Sequence, residues 1–493
     1  MKNIRKYLSV LMVALLLTSC EDFLDVNVDP NNPTEVTPNL VLPSAQKYTA
    51  NLIHGTDAGA RRINTLGNMM MYNWSQSDGF AWYPDEFKYL VTSSFYQGIF
   101  NDSYSSALKQ YHILDMMEGS RYDYYKAIGK IMKAYHFQLL VDLYGDIPYT
   151  EALLRKDNAT PKYDNQVEIY ADLLVQLDAA IGLIKDAVAP VAVGDDDAMF
   201  GGDMEEWVRF ANTVKLRILV RESGTRNVAS DVAAIVAEGS GFITGDVMVN
   251  PGYLVEEGKQ NPFWNFYGKD AGGTVTMTNN ATCASDYVLA YLAGTNDPRI
   301  DFLYEKPANG HLGVPQGLLD YDTPVVDAFM PSEVSNIGPG LLKSATMGAV
   351  IFTLAESNFN QAEAVVSNLL TDGDAGELYK DGIMASMRYL GIEDTTAAKY
   401  FGKNLALIDW DSSPNKLQAI MTQKWIATNG LTAEQSWFDY TRTGYPSGLP
   451  KSILGTSADR PVRLYYPAGE LSANGANVPV QPNAFTAKVF WGN

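Results

Sequence analysis

The sequence predicts a mostly α-helical fold: an α-solenoid of paired helices, interrupted by a long loop-rich insertion and closed by an irregular C-terminal segment. Apolar residues recur at i, i+3 and i+4 over many long stretches, which places them on one face of a helix. Between about 244 and 342 that period gives way to Gly, Pro, Asn and aromatic residues. The chain after Tyr445 is again irregular and proline-rich.

Residues 1–19 read as an export signal. Lys2, Arg5 and Lys6 form a positive start, and residues 7–17 are an apolar run too short to span a bilayer. Leu17-Thr18-Ser19-Cys20 fits a bacterial lipobox, in which small residues precede a cysteine that is acylated as the peptide is cut before it. The expected mature chain begins at Cys20 and is held to a membrane by acyl chains such as palmitate, at roughly 0.8 kcal/mol per buried CH₂. The plainer alternative is an ordinary signal peptide or an uncleaved anchor. Residues 20–43 are rich in Asp, Asn and Pro, lack a helical period and read as a lipidated start followed by an extended tether. Asp25-Val26-Asn27-Val28-Asp29 spaces its oxygens like the start of an EF-hand loop, but Pro30 stands where glycine is required and Glu35 comes one place early. It too is assigned to the tether.

Residues 44–493 read as a single helical domain. The segment 124–144 is amphipathic and stops at Gly145-Asp146-Ile147-Pro148. In 168–187, Ile169, Leu173, Leu177, Ala180, Ile181 and Ile184 share a face; in 206–223, Trp207, Phe210, Val214 and Ile218 do. Helices are also expected at 229–238, 346–371, 376–390, 396–408, 414–429 and 432–440, with Ser413-Pro414 as a start. Within 244–342 only short pieces such as 284–293 are helical, and so long an irregular stretch marks function. Successive helix pairs look tetratricopeptide-like, although no clean 34-residue repeat is visible.

Composition narrows the function. With 57 Asp+Glu against 37 Lys+Arg the net charge is −20, and removing residues 1–19 takes three cations and no acids, leaving −23. Such a surface repels nucleic acid. Two cysteines, one of them Cys20, leave Cys283 alone, so no internal disulfide is expected and Cys283 reads as a small buried residue. Enzyme signatures such as H-E-x-x-H, G-x-S-x-G, a P-loop or G-x-G-x-x-G are missing. Neighbouring acids such as Glu205-Glu206 or Glu256-Glu257 do not face each other across a cleft, as a glycosidase pair must. His112 and His136 fall within helix patterns and read as packed rather than metal-bound. Arg299 and Arg442, each near an aspartate, read as structural ion pairs. Asp195-Asp196-Asp197 reads as an exposed acidic turn; calcium there or in another acidic loop stays open, with no ligand set assigned.

Several segments, taken in order, resemble the SusD/RagB family of outer-membrane nutrient-binding lipoproteins, in its SusD-like branch. They are Cys20-Glu21-Asp22-Phe23-Leu24 behind the lipobox, Asp29-Pro30-Asn31, Pro43-Ser44-Ala45, and Asp142-Leu143-Tyr144-Gly145-Asp146-Ile147-Pro148-Tyr149. Asp297-Pro298-Arg299, Ile420 to Ala427, Trp437-Phe438-Asp439-Tyr440-Thr441-Arg442-Thr443-Gly444, and Arg463-Leu464-Tyr465-Tyr466-Pro467 follow. Thr441 departs from the family, which often has a second Arg there. The resemblance implies four tetratricopeptide-like helix pairs with ligand-binding loops, and no catalysis. It implies a lipid anchor at Cys20 in the outer membrane, facing the cell exterior. It also implies service as the lid of a SusC-like TonB-dependent transporter that receives oligosaccharides or similar oligomers. An oligopeptide-binding lid is the alternative, and a surface glycan hydrolase a further one.

Two aromatic loops are the candidate ligand face. Trp74, Gln76, Asp78, Trp82 and Tyr83 come from the first, which also holds Phe80; Phe263, Trp264 and Tyr267 come from the second. Flat sugar faces stack on such rings while amides and carboxylates take the hydroxyls. The plainer alternative is that these rings pack beneath the loops.

Overall fold

The computed structural model describes residues 37–55, 61–319 and 326–492. The export signal, Cys20 and the acidic stretch 25–29 lie outside the described residues. Helices dominate and pack against one another. Asp123–Tyr144 lies against Gln166–Lys185, which lies against Met204–Glu222; Leu354–Val366 pairs with Ala375–Leu390, and Lys416–Thr428 with Ala433–Thr443. The repeat arises because each amphipathic stripe is covered by the next helix. Ile169, Leu173, Leu177, Ala180, Ile181 and Ile184 are all buried, as their spacing predicts. Helix ends follow local chemistry: Asn165 and Asp203 accept from the backbone amides of their first turns, and Gly145 closes the 123–144 helix at φ +77°.

The structure corrects four boundaries. Residues 38–43, assigned to the tether, are the first turns of the helix Pro38–His54, with Pro38 at its start. The region 346–371 is a strand before it is a helix: β4, Ala349–Phe352, pairs antiparallel with β2, Val247–Val249, and only then does Leu354–Val366 begin. Its β-branched residues suit a buried ribbon as well as a helix. The 396–408 helix is Asp394–Phe401. Asn415, not Ser413, caps the 416–428 helix, accepting from Gln418 N at 3.0 Å; the Ser413 hydroxyl instead donates to Asp409 O at 2.7 Å.

Asp197 is also not an exposed turn. It is buried, and its carboxylate takes the Gln46 amide at 2.6 Å, the Trp207 indole N–H at 2.8 Å and the Met199 and Gly202 amides at 3.0 and 3.1 Å. N–H donors thus occupy both oxygens. Cys283 and His136 are buried, as expected. Arg299 binds Asp297 at 2.6 Å in full burial, and Arg442 binds Glu363 at 2.6 Å. Among the described residues no helix is long and apolar enough to cross a membrane.

Buried ion pairs join neighbouring helices, and one of them, Arg217 with Glu356, links the 204–222 helix to the 354–366 helix. Arg217 reaches Glu356 at 3.3 Å, Arg221 holds Asp142, and Lys424 meets Asp439 at 2.6 Å. Glu434, in the first turn of the 433–443 helix, makes no ion pair among the described residues. Burial, with the Glu356 charge adding to it, lifts its carboxyl from 4.5 to about 7. An acid raised in the folded state holds its proton there after the unfolded chain has lost it. Its contribution to stability is therefore full below pH 4.5 and lost as pH rises towards 7. Glu434→Gln is expected to flatten that decline and to stabilise the protein at pH 8 by up to about 3 kcal/mol, read from urea midpoints at several pH values.

Candidate functional site

The long irregular stretch builds a cleft of about 410 Å³, within the range of ligand pockets. Its walls follow from local sequence. Asn261-Pro262 starts the short helix Pro262–Tyr267: proline takes the first turn, and the Asn261 side chain accepts from Trp264 N at 2.9 Å. That cap sets Trp264 on the open side while Phe263 and Tyr267 turn inward. The helix ends at Gly268, where a Cβ would lie 2.8 Å from Trp264 O and 3.0 Å from the indole ring. Only glycine lets the ring lie this close to the backbone.

Next comes a tight hairpin, with Lys269 bridged to Val275 and Thr274 N donating to the Asp270 carboxylate at 2.8 Å. Thr276 caps the turn Met277–Ala281 by accepting from Asn279 N at 3.1 Å, and this positions Asn279 and Asn280. The opposite wall is the pairing of Tyr304 with Ile337, continued by the Glu305 N bond to Asn336 O at 2.8 Å. Gly338 allows this crossing, since a Cβ there would meet Phe302 O and Tyr304 N at 2.5 Å.

The cleft therefore presents one indole, three carboxamides from Asn279, Asn280 and Asn336, and two opposite charges, Lys269 and Glu305, with Val275, Pro339 and Leu342 as apolar wall. Asn336 donates to Pro331 O at 3.2 Å, while its Oδ1 is buried with no partner among the described residues. Burial raises the Glu305 carboxyl above its ordinary value, and Lys269 pulls it the other way. This set can stack a flat ring and hydrogen-bond the groups around it.

Of the residues named from sequence, only Trp264 lines this cleft. Trp74, Tyr83, Phe263 and Tyr267 are buried in the core instead of lining the cleft. Trp74 on β1 (Trp74–Gln76) packs 4.9 Å from the Tyr267 ring, which packs 5.0 Å from Phe263. The Tyr267 hydroxyl bonds Thr65 at 2.6 Å and the Tyr83 hydroxyl bonds Thr282 at 2.6 Å. Burial raises both phenols well above their ordinary value. Trp74 itself lies on β1, which pairs antiparallel with β3, Thr282–Ala284, so these rings pack beneath the loops.

Gln76 and Asp78 are also buried and hydrogen-bonded. The Gln76 amide donates to Phe80 O and Leu319 O at 3.0 and 2.7 Å and accepts from Trp82 N at 2.9 Å, which fastens its own loop. Asp78 is buried and accepts from Gly79 N at 2.7 Å. Trp82 is half-buried, edge-on to Phe80 at 6.3 Å, and is not part of the cleft wall. The first loop adjoins the cleft through Ser77, whose amide donates to Ala281 O at 3.0 Å. Sequence reasoning missed Lys269, Asn279, Asn280, Glu305 and Asn336. A Thr-x-x-Asn cap at Thr276 was the one local signal for part of this set. Among the described residues no group of three or more His, Cys, Asp or Glu could hold a metal ion.

A SusD-like family model, described as starch-binding and associating with the outer membrane, matches residues 30–467. The fold is similar to a solved chitin-binding protein at TM-score 0.73 and 22% identity, covering 93% of this chain and 100% of the other. It is similar to a chitin-binding SusD homologue from Flavobacterium johnsoniae at TM-score 0.75 and 20% identity, over 92% and 98% of the two chains. A SusD homologue from Bacteroides fragilis aligns at TM-score 0.70 and 22% identity, over 93% and 99%. No curated protein matches the chain.

Proposed function

Because the chain belongs to the SusD-like family, we propose that it is a cell-surface lipoprotein, acylated at Cys20, that binds oligosaccharides in the Trp264 cleft. It passes them to a SusC-like TonB-dependent transporter, over which it acts as a lid. The observation that carries the binding reading is the Trp264 indole in a cleft with three asparagine side chains and a charged pair. Sugar rings present apolar faces and many hydroxyls, and these groups answer both. The chitin-binding relatives make N-acetylglucosamine oligomers the first ligands to test, and the family description adds starch oligomers. A non-catalytic role accords with relatives described as binding proteins.

Calorimetry with chitin and starch oligosaccharides is the test. Trp264→Ala should weaken binding about tenfold, because a stacked aromatic contributes both its buried area and its ring contact. Trp82→Ala should leave affinity near wild type. Wild-type affinity in the Trp264 variant would refute the site. Binding of oligopeptides but of no glycan would transfer the lid to peptide import, and release of shorter sugars during the titration would make the protein a hydrolase.

A further inference from the structure

A different cleft, of about 480 Å³, opens beside the C-terminal end of the 433–443 helix and shares no lining residue with the Trp264 cleft. Its charged lining is mainly cationic, with Arg442, Lys451, Arg460 and Lys488 against the single acid Asp459, in a chain of net charge −20. Arg442 is already neutralised by Glu363 at 2.6 Å and Asp439 at 3.1 Å. Arg460 is not. Its residue is only 7% exposed, yet it makes no ion pair among the described residues. One nitrogen, Nη2, donates to Pro450 O, Nε is buried without a partner, and the guanidinium lies 5.2 Å over the Tyr440 ring. An arginine this deeply enclosed is costly until an anion faces it.

Lys451 is exposed at the rim, and Lys488 donates to Thr441 O at 3.0 Å. Leu449 and the half-buried ring of Phe485 add an apolar wall. Cations beside an apolar ring fit an oxyanion carried on a saccharide better than a bare ion. We propose that this cleft is a second ligand site, which binds a uronate carboxylate or a sulfate ester on a sugar ring through Arg460 and Lys451. The sugar carrier rests on the carbohydrate-binding reading; the anion recognition rests on Arg460 and its neighbours.

The test is calorimetry on the intact, detergent-solubilised protein with digalacturonate, a sulfated disaccharide and a neutral disaccharide. At low salt at least one anionic sugar should bind about tenfold tighter than the neutral one, and added salt should erode the difference. Whichever anionic sugar binds identifies the group, carboxylate or sulfate ester. Arg460→Gln should weaken that binding about tenfold and Lys451→Gln about threefold, whereas Asp459→Asn should strengthen it. Trp264→Ala should leave it unchanged, which separates this site from the first. Equal binding of anionic and neutral sugars overturns the proposal. So does unchanged anion affinity in folded Arg460→Gln and Lys451→Gln proteins; if Arg460→Gln does not fold, Lys451→Gln and Asp459→Asn decide it.

Discussion

Replacing Arg221 by leucine should destabilise the protein by about 3–5 kcal/mol, the usual loss when one member of a buried ion pair is removed. Arg221 holds Asp142 through one nitrogen and Gln435 at 2.9 Å through another, and its guanidinium lies 5.2 Å over the Phe438 ring and 5.6 Å over Trp491. It therefore joins the 123–144, 204–222 and 433–443 helices with the C-terminal segment. In the variant Asp142 would keep Tyr170 and the Trp491 indole N–H, at 2.8 Å, as donors but would have no cation.

The sign with pH is fixed by the same residue. Burial raises the Asp142 carboxyl above 3.8, with Arg221 as the main opposing charge. Removing Arg221 lifts it further, so the folded state keeps its proton while the unfolded chain loses it. The loss of stability should be larger at pH 7 than at pH 4, and Arg221→Leu combined with Asp142→Asn should recover part of it. Urea midpoints at the two pH values read this directly. Equal losses at both would mean that the ion pair does not set the stability here.

Gly67→Ala should cost about 3 kcal/mol or more, although alanine by itself favours a helix by about 1 kcal/mol. Gly67 lies in the helix Ile63–Met70 where that helix crosses the start of the 433–443 helix. A Cβ there would stand 2.1 Å from Glu434 N and 2.4 Å from the Ala433 carbonyl carbon. These are backbone atoms, and no side chain can swing away to make room. The helices would have to separate, carrying with them Thr65, which bonds Tyr267 beneath the Trp264 cleft at 2.6 Å. Sugar affinity should therefore fall together with thermal stability. Wild-type stability in this variant would show that the helix crossing is looser than its glycine contact implies.

Some of this architecture could be read before any coordinates. The 166–185 and 204–222 helices are legible because burial follows a 3.6-residue period that any helix must obey. Strand β4 was not, because Ala-Val-Ile-Phe is equally apolar in a ribbon and in a buried helix, and only its partner at 247–249 decides. The candidate site divides in the same way. Aromatic side chains marked two loops, but Trp74 and Trp264, alike in sequence terms, went to opposite fates. Trp74, on the paired strand β1, is fully buried against Tyr267 and Phe263, whereas the Asn261 cap leaves Trp264 on an open wall. Asn279, Glu305 and Asn336 are separated in the chain and meet only through the Tyr304–Ile337 pairing and the 269–275 hairpin.

Taken alone, the amino-acid order determined a mostly helical scaffold, its loop-rich interruption and the family to which the chain belongs. Those properties live in spacing and in short local motifs, which need no distant partner. Tertiary structure decided which rings are core and which are open, which cations are matched and which, like Arg460, are not. Burial and charge compensation are sums over neighbours brought from far along the chain, so they exist only once the fold has closed.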